Sequence, residues 1–272
     1  MVTDFILADY SWLHSPDRTE EAHRLFKAGK NRDGCYANEE VIEHALTAID
    51  ILQKHYWSDR YVLIYNNALM HLKCNPTALS AKKMPKNTLL VGKNWKPEVN
   101  VLDEHGKPFY KPDGSCKKEP AEMTGGCLPN RELQSFYFGP DHPHAETFKG
   151  MAMILEERSI TTKGLRAECK DFLLGCIAAA MTSMTVNCCC CRILFNQPDF
   201  ISIRSCLQDK CGKRGVSVLI LLRFHCELKF IEQCWGFAKC TYQTYPLGKN
   251  EDEMAKFVIW AFDSIPLITK QR

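Results

Sequence analysis

One apolar run, followed closely by an amphipathic segment, constrains the fold of this 272-residue chain more than any other feature. Residues 216–222 carry no charge and are mostly aliphatic, which is typical of a buried strand. The segment from Phe224 to Gly236 then changes to a helical period. This pattern predicts a strand–helix unit in which Glu232, early in the helix, carries a carboxylate to the edge of a sheet.

A second strand is predicted further upstream, at Tyr61–Tyr65, where a short apolar run ends abruptly in polar residues at Asn66. The carboxyl end of such a strand is the usual place for a site in an open α/β sheet. A helix over 39–55 is predicted before it, with Asn38 as the N-cap. Its apolar face is made by Val41, Ile42, Ala45, Leu46, Ile49 and Leu52.

The remaining predicted elements are weaker. Strands are expected at 1–7, with Asp4 near the middle, and at 25–28. Helices are expected over 144–158 and 201–212, and from a start capped by Asn250 and Glu253. In the last helix we expect Met254, Val258, Ile259 and Phe262 to face the core.

Four segments of the chain resemble motifs of mariner-like transposases of the DDE superfamily, and of a related group of transposase-derived proteins common in fungal genomes. In that group a D-N-A-x-x-H segment ends a central strand, and an L-N-x-I-E-x-x-W-G segment begins a late helix. The matching segments here are Asn66-Asn67-Ala68-Leu69-Met70-His71, Leu228-Lys229-Phe230-Ile231-Glu232-Gln233-Cys234-Trp235-Gly236, Ala78-Leu79-Ser80-Ala81-Lys82-Lys83-Met84-Pro85-Lys86 and Asn196-Gln197-Pro198-Asp199-Phe200. Two positions depart from the pattern, since Asn66 replaces the second aspartate and Lys229 replaces an asparagine.

The resemblance implies an α/β fold in which an RNase H-like mixed sheet is flanked by helices. Residues 1–71 would form the first part of the core and residues 206–272 the second part, with its C-terminal helices. Residues 72–205 would be a long, partly irregular insertion that contains a basic Lys/Pro-rich region, a helix and a Cys-rich segment.

The resemblance also implies two-metal cleavage of a phosphodiester bond, in which three carboxylates hold two Mg²⁺ or Mn²⁺ ions. Asp4 would bridge the ions, residue 66 would bind one of them, and Glu232 the other. Asn66 keeps an oxygen ligand but lacks the negative charge, so we expect cleavage to be absent or strongly impaired.

A basic segment lies between these motifs. Residues 82–118 carry nine lysines against four acids, which gives +5 there and −2 in the rest of the chain. Such a segment suits contact with DNA phosphates, with Lys82, Lys83 and Lys86 as the candidates. A solvated loop that keeps the protein soluble is an equal alternative.

The chain contains 15 cysteines, an odd number that favours a reducing setting. Cys169, Cys176, Cys188 and Cys191 could form a zinc site, because thiolates bind zinc tetrahedrally and Cys188 and Cys191 have the C-x-x-C spacing. Buried thiols are the alternative. The uncharged stretch between Asp171 and Arg192 is interpreted as a buried insertion rather than a membrane span.

The resemblance implies a nuclear, DNA-binding remnant of a transposase catalytic core. It would act as a homodimer or with a partner that supplies the DNA-recognition domain. A non-enzymatic, cysteine- or zinc-stabilised nucleic-acid-binding or adaptor module is the alternative, and a decaying element remnant would have the same sequence.

Overall fold

The computed structural model describes residues 1–7, 9, 11–29, 32–82, 84–90, 93–102, 104, 108–169, 188–222, 230–246 and 248–266. The chain divides into two compact units. Unit 1 is formed by Met1–Lys73 and Arg204–Arg272, and unit 2 by Cys74–Ile203.

The strands of unit 1 are short. They are β1 (Val2–Thr3), β2 (Ile6–Leu7), β3 (Ser11–Trp12), β4 (Arg24–Leu25), β5 (Val62–Tyr65) and β10 (Ser217–Ile220). The strand predicted over 1–7 is split at Asp4 and Phe5, and the one predicted over 25–28 ends at Leu25. Among the described residues the strands pair two by two: β1 with β4 and β2 with β3 antiparallel, and β5 with β10 parallel. The mixture of helices and small sheets is compatible with the predicted α/β class, while a single RNase H-like sheet stays a prediction.

Helix α1 (Asn38–His55) matches the helix predicted over 39–55, but its cap differs. Ala37 occupies the N-cap position, and its backbone N–H donates to the Glu40 carboxylate at 2.9 Å. The Asn38 side chain instead donates to the carbonyl oxygen of Met70 at 2.5 Å. Asn38 is therefore the first helical residue, and it ties α1 to the loop after β5.

Two hydrophobic clusters form the core of unit 1. In the first, the buried face of α1 packs with Leu63 of β5, Val216, and Leu207 of α5 (Cys206–Lys213). Burying one aliphatic side chain of this size contributes about 1.5–3 kcal/mol. The second cluster lies between α6 (Phe230–Tyr242) and α7 (Glu251–Asp263), and it contains Trp12, Cys234, Ala238, Ala261, Phe262 and Ile265.

Helix α7 starts where the sequence predicts, because the Asn250 side chain accepts the Glu253 N–H at 2.8 Å. Its buried face matches the prediction in part. Phe262 is buried and Val258 packs against the second cluster, as predicted. Met254 and Ile259 are exposed, and Phe257 and Ala261 are buried instead. The helix is therefore rotated so that the i, i+4 pair Phe257 and Ala261 points inward.

Unit 2 has a hydrophobic core of its own, in which Phe136, Phe148, Met151, Ile154 and Leu194 are buried. Its strands are β6 (Glu98–Asn100), β7 (Lys118–Pro120), β8 (Gly126–Cys127) and β9 (Leu133–Gln134), and its helices are α2 (Met151–Glu157), α3 (Cys190–Phe195) and α4 (Pro198–Ile201). Strands β6 and β7, and β8 and β9, form antiparallel pairs.

Two predicted helices begin later than expected. The helix predicted over 144–158 begins at Met151, because Gly150 at φ 88° sets its N-terminus and Tyr137 and Phe148 pair as an antiparallel bridge before it. The helix predicted over 201–212 is α5, which begins at Cys206 because Ser205 and Gln208 form a capping box. In both cases the residue at the N-cap, rather than the apolar periodicity, determines where the helix begins.

Among the described residues, no helix combines the length and the apolar character that a membrane crossing requires. The uncharged stretch between Asp171 and Arg192 lies mostly outside the described residues, which exclude 170–187.

Candidate functional site

Asn66 lies at the edge that the sequence predicts. Strands β5 and β10 run parallel with Tyr65 opposite Ile220, so their carboxyl ends meet at one edge of the pair. Asn66 follows directly and is exposed. The ring of His71 packs edge-on against Tyr65, and its Nδ1 donates to the Asn66 carbonyl oxygen at 2.9 Å. The imidazole therefore fixes the loop that presents Asn66.

Asp4 lies between β1 and β2, and its side chain is only 2% exposed. One carboxylate oxygen accepts the Phe5 N–H at 2.7 Å, and the other is 2.9 Å from Nδ1 of His23. His23 faces Asp4 because Thr3 and Arg24 are cross-strand partners in the adjoining ladder. Both carboxylate oxygens of the predicted metal ligand are thus engaged by the protein.

Burial and the hydrogen bond between Asp4 and His23 shift the pKa values of both side chains. Burial raises the pKa of the Asp4 carboxyl, and the hydrogen bond from His23 opposes that shift. The hydrogen bond to Asp4 raises the pKa of His23 above its ordinary value of 6.5, against the effect of burial. The pair is therefore best described as an imidazolium that neutralises a buried carboxylate.

This pair predicts a pH dependence of the stability of unit 1. Because the folded-state pKa of His23 is raised, its contribution is fully present below pH 6.5 and is lost as the pH rises through the folded-state pKa. Burial lowers the pKa of nearby His44, so His44 contributes with the opposite sign. The free energy of unfolding of wild type minus that of His23→Gln, measured in urea between pH 5.5 and 8.5, should therefore fall with pH. A difference in the free energy of unfolding that stays constant with pH would show that Asp4 does not raise the pKa of His23 in the folded protein.

Glu232 lies in the first turn of α6 and is half-buried, as the sequence predicts for a carboxylate at a helix start. The preceding residue, Ile231, packs against the cluster between α6 and α7. Val2 and Ile6, which flank Asp4 by two residues on either side, pack against the same cluster.

The three predicted metal ligands belong to unit 1 and are linked through their neighbours. The ring of Phe5, next to Asp4, is 6.1 Å from the ring of Tyr65, next to Asn66. Asp4 thus has one neighbour packed against Tyr65, the residue before Asn66, and two near neighbours packed against the cluster that Ile231 also contacts. The ligation of one metal pair by Asp4, residue 66 and Glu232 stays a prediction.

The three candidate DNA-binding lysines differ in their surroundings. Lys82 is exposed, whereas Lys86 is half-buried and its Nζ donates to the Leu165 carbonyl oxygen at 2.5 Å. Lys83 lies outside the described residues. Lys82 is therefore better placed for a phosphate than Lys86.

A cluster of three cysteines in unit 2 could hold a metal. The Sγ atoms of Cys169, Cys188 and Cys189 all lie within 4.8 Å of one another. Cys169 and Cys188 are half-buried, and Cys189 is buried. Thiolates in such an arrangement select soft or borderline cations such as Zn²⁺ over Mg²⁺.

This cluster differs from the predicted zinc ligands in two positions. Cys176 lies outside the described residues. Cys191 is buried, and its thiol donates to the Ala81 carbonyl oxygen at 3.3 Å. Cys189 takes part instead, next to Cys188, because the chain turns into α3 at that point. The C-x-x-C spacing pairs Cys188 with Cys191 and therefore gave no sign that Cys189 would take the place of Cys191.

Comparisons with family models, with curated proteins and with solved structures found no match. The structural assignment of the site therefore rests on the residues themselves.

Two structurally important residues gave no signal in the sequence. His23 is 19 positions from Asp4, and Arg158 is 41 positions from Asp199, with which it forms a double hydrogen bond at 2.8 Å and 2.8 Å. Asp199 belongs to the Asn196–Phe200 motif, and its role here is to hold Arg158 and the N–H of Cys127. Such long-range partners can be identified only from the folded chain.

Proposed function

We propose that unit 1 is a DDE-type catalytic core that has lost most of its strand-cleaving activity. The protein would bind DNA in the nucleus through the basic segment at 82–118, which lies in unit 2. The observation that carries the proposal is the position of Asn66 at the carboxyl end of a parallel strand pair. It is supported by the neighbour contacts that relate Asp4 to Tyr65 and to the cluster holding Ile231.

The substitution at residue 66 explains why cleavage would be weak. Mg²⁺ and Mn²⁺ prefer hard oxygen ligands, and the amide of Asn66 offers one without a charge. Two dications would then be held by two carboxylates. One of these, Asp4, would also have to release His23 before it could bind a metal.

The DNA-binding part of the proposal is tested by the salt dependence of affinity. We expect wild type to bind duplex DNA with an affinity that falls steeply as salt increases, because each phosphate contact releases counterions. Lys82→Ala should reduce the slope of log affinity against log salt by about one. Fluorescence anisotropy over a salt series gives that slope.

Lys163→Ala is the matched control for Lys82→Ala, since Lys163 is also exposed in unit 2 but lies outside residues 82–118. It should leave the slope unchanged. DNA binding that is independent of salt, or equal losses in the two variants, would contradict a role for the basic segment.

A second candidate function rests on the three-cysteine cluster. We propose that unit 2 binds Zn²⁺ through cysteine thiolates. The chain would then be a non-enzymatic, zinc-stabilised module that binds nucleic acid or an adaptor partner. This class is favoured if the protein binds zinc and DNA but does not cleave DNA after Asn66→Asp.

A further inference from the structure

Backbone pairing between two segments of unit 2 builds the cysteine cluster. Arg166 and Cys189 form a parallel bridge, and the N–H groups of Cys190 and Cys191 donate to the carbonyl oxygens of Arg166 and Ala167, each at 3.0 Å. This pairing holds the Cys169 end of one segment beside the start of α3. The cluster is therefore placed by ordered backbone rather than by side chains alone.

The distances between the sulfur atoms fit a tetrahedral metal. The Sγ of Cys188 is 3.6 Å from that of Cys169 and 3.9 Å from that of Cys189. A tetrahedral Zn²⁺ with Zn–S bonds of about 2.3 Å requires sulfur atoms about 3.8 Å apart. The Sγ of Cys188 is thus nearly one tetrahedral edge away from each of the other two, which lie within 4.8 Å of each other.

Cys190 and Cys191, which directly follow Cys189, have a different role. Both are buried in the core of unit 2. The thiol of Cys191 donates to the Ala81 carbonyl oxygen at 3.3 Å, so it already has a backbone partner in another segment. Both side chains therefore serve to fill the core.

We propose that Cys169, Cys188 and Cys189 together bind one thiophilic divalent cation, with Zn²⁺ as the natural ligand. The ion joins the segment around Arg166–Cys169 to the start of α3, and it thereby stabilises unit 2 without acting on unit 1. This inference rests on the zinc binding proposed above and specifies its ligands and its structural effect.

Cobalt exchange and matched serine variants test the ligand set. The full chain, purified without added zinc, should contain about one zinc ion by mass spectrometry. Replacement by Co²⁺ should give a tetrahedral visible spectrum and a sulfur-to-cobalt charge-transfer band. Cys188→Ser and Cys189→Ser should each weaken Co²⁺ binding at least about 100-fold, since loss of an outer partner alone weakens it 10–100-fold. Cys191→Ser is the control and should bind normally.

The structural effect is tested with 5-fluorotryptophan and fluorine NMR, because Trp95 is the one tryptophan of unit 2 among the five in the chain. Chelation should shift the Trp95 resonance and leave the other four in place. The same spectrum checks folding: Cys188→Ser, which alters a half-buried side chain, should match zinc-free wild type.

The outcomes separate this inference from the proposal on which it rests. If Cys191→Ser abolishes binding while Cys189→Ser does not, zinc binding stands and the ligand set is wrong. If wild type holds neither zinc nor cobalt, both fail. If the metal binds but chelation shifts the unit 1 resonances instead, the proposed stabilisation of unit 2 by the ion is wrong.

Discussion

Asn66→Asp is expected to raise Mn²⁺-dependent nicking of duplex DNA by about 10²–10³-fold over wild type. The substitution introduces a negative charge at the carboxyl end of β5 with almost no change in the size of the side chain. Three carboxylates would neutralise two metal ions better than two carboxylates and an amide, and such a metal pair would stabilise the charge on the leaving oxygen. Conversion of supercoiled plasmid to the nicked form, followed over time with Mn²⁺ and with Mg²⁺, measures the gain.

Asn67→Asp is the matched control, because it adds the same charge one residue later in the same loop. It should give no gain. Adding Glu232→Gln to Asn66→Asp should remove the gain. Equal activity of the two aspartate variants, or strong cleavage by wild type that Asp4→Ala abolishes, would contradict the interpretation of Asn66 as the damaged position.

Asp199→Ala is expected to destabilise unit 2 by about 3–5 kcal/mol, the usual effect of removing one partner of a buried ion pair. The Arg158 side chain is 1% exposed, so its guanidinium would lose both hydrogen bonds to Asp199 without gaining water. The N–H of Cys127 would also lose its acceptor. Unfolding in urea, followed by the Trp95 fluorine resonance, reports the loss for unit 2.

Asp141→Ala is the control for Asp199→Ala, since Asp141 is an exposed aspartate of the same unit. It should change the free energy of unfolding of unit 2 by less than about 0.5 kcal/mol. Similar losses in the two variants would show that the Arg158–Asp199 pair is not the source of the stability.

The elements that the sequence predicted well are those determined by local signals. Helix α1 follows from a sustained apolar period with acids in its first turn, and the start of α7 follows from Asn250 and Glu253. The end of β5 at Asn66 follows from the sharp change to polar residues. Each of these signals is contained within a few residues.

The features that the sequence did not predict depend either on helix caps that override the apolar period or on partners far along the chain. The starts of α2 and α5 are set by Gly150 and by the Ser205 cap rather than by periodicity. His23 faces Asp4 only because β1 and β4 pair, and Cys189 joins Cys169 only because the segment at Arg166 pairs with it. Hydrophobic patterns specify burial, but they do not specify which polar groups meet.

The proposed catalytic core requires Asp4, residue 66 and Glu232 to bind the same pair of metal ions. Anomalous diffraction from crystals of Asn66→Asp grown with Mn²⁺ would locate the ions. We expect manganese within about 2.2 Å of carboxylate oxygens from all three residues, with His23 displaced from Asp4. Crystals in which Asp4 still binds His23 and manganese lies away from Glu232 would contradict it.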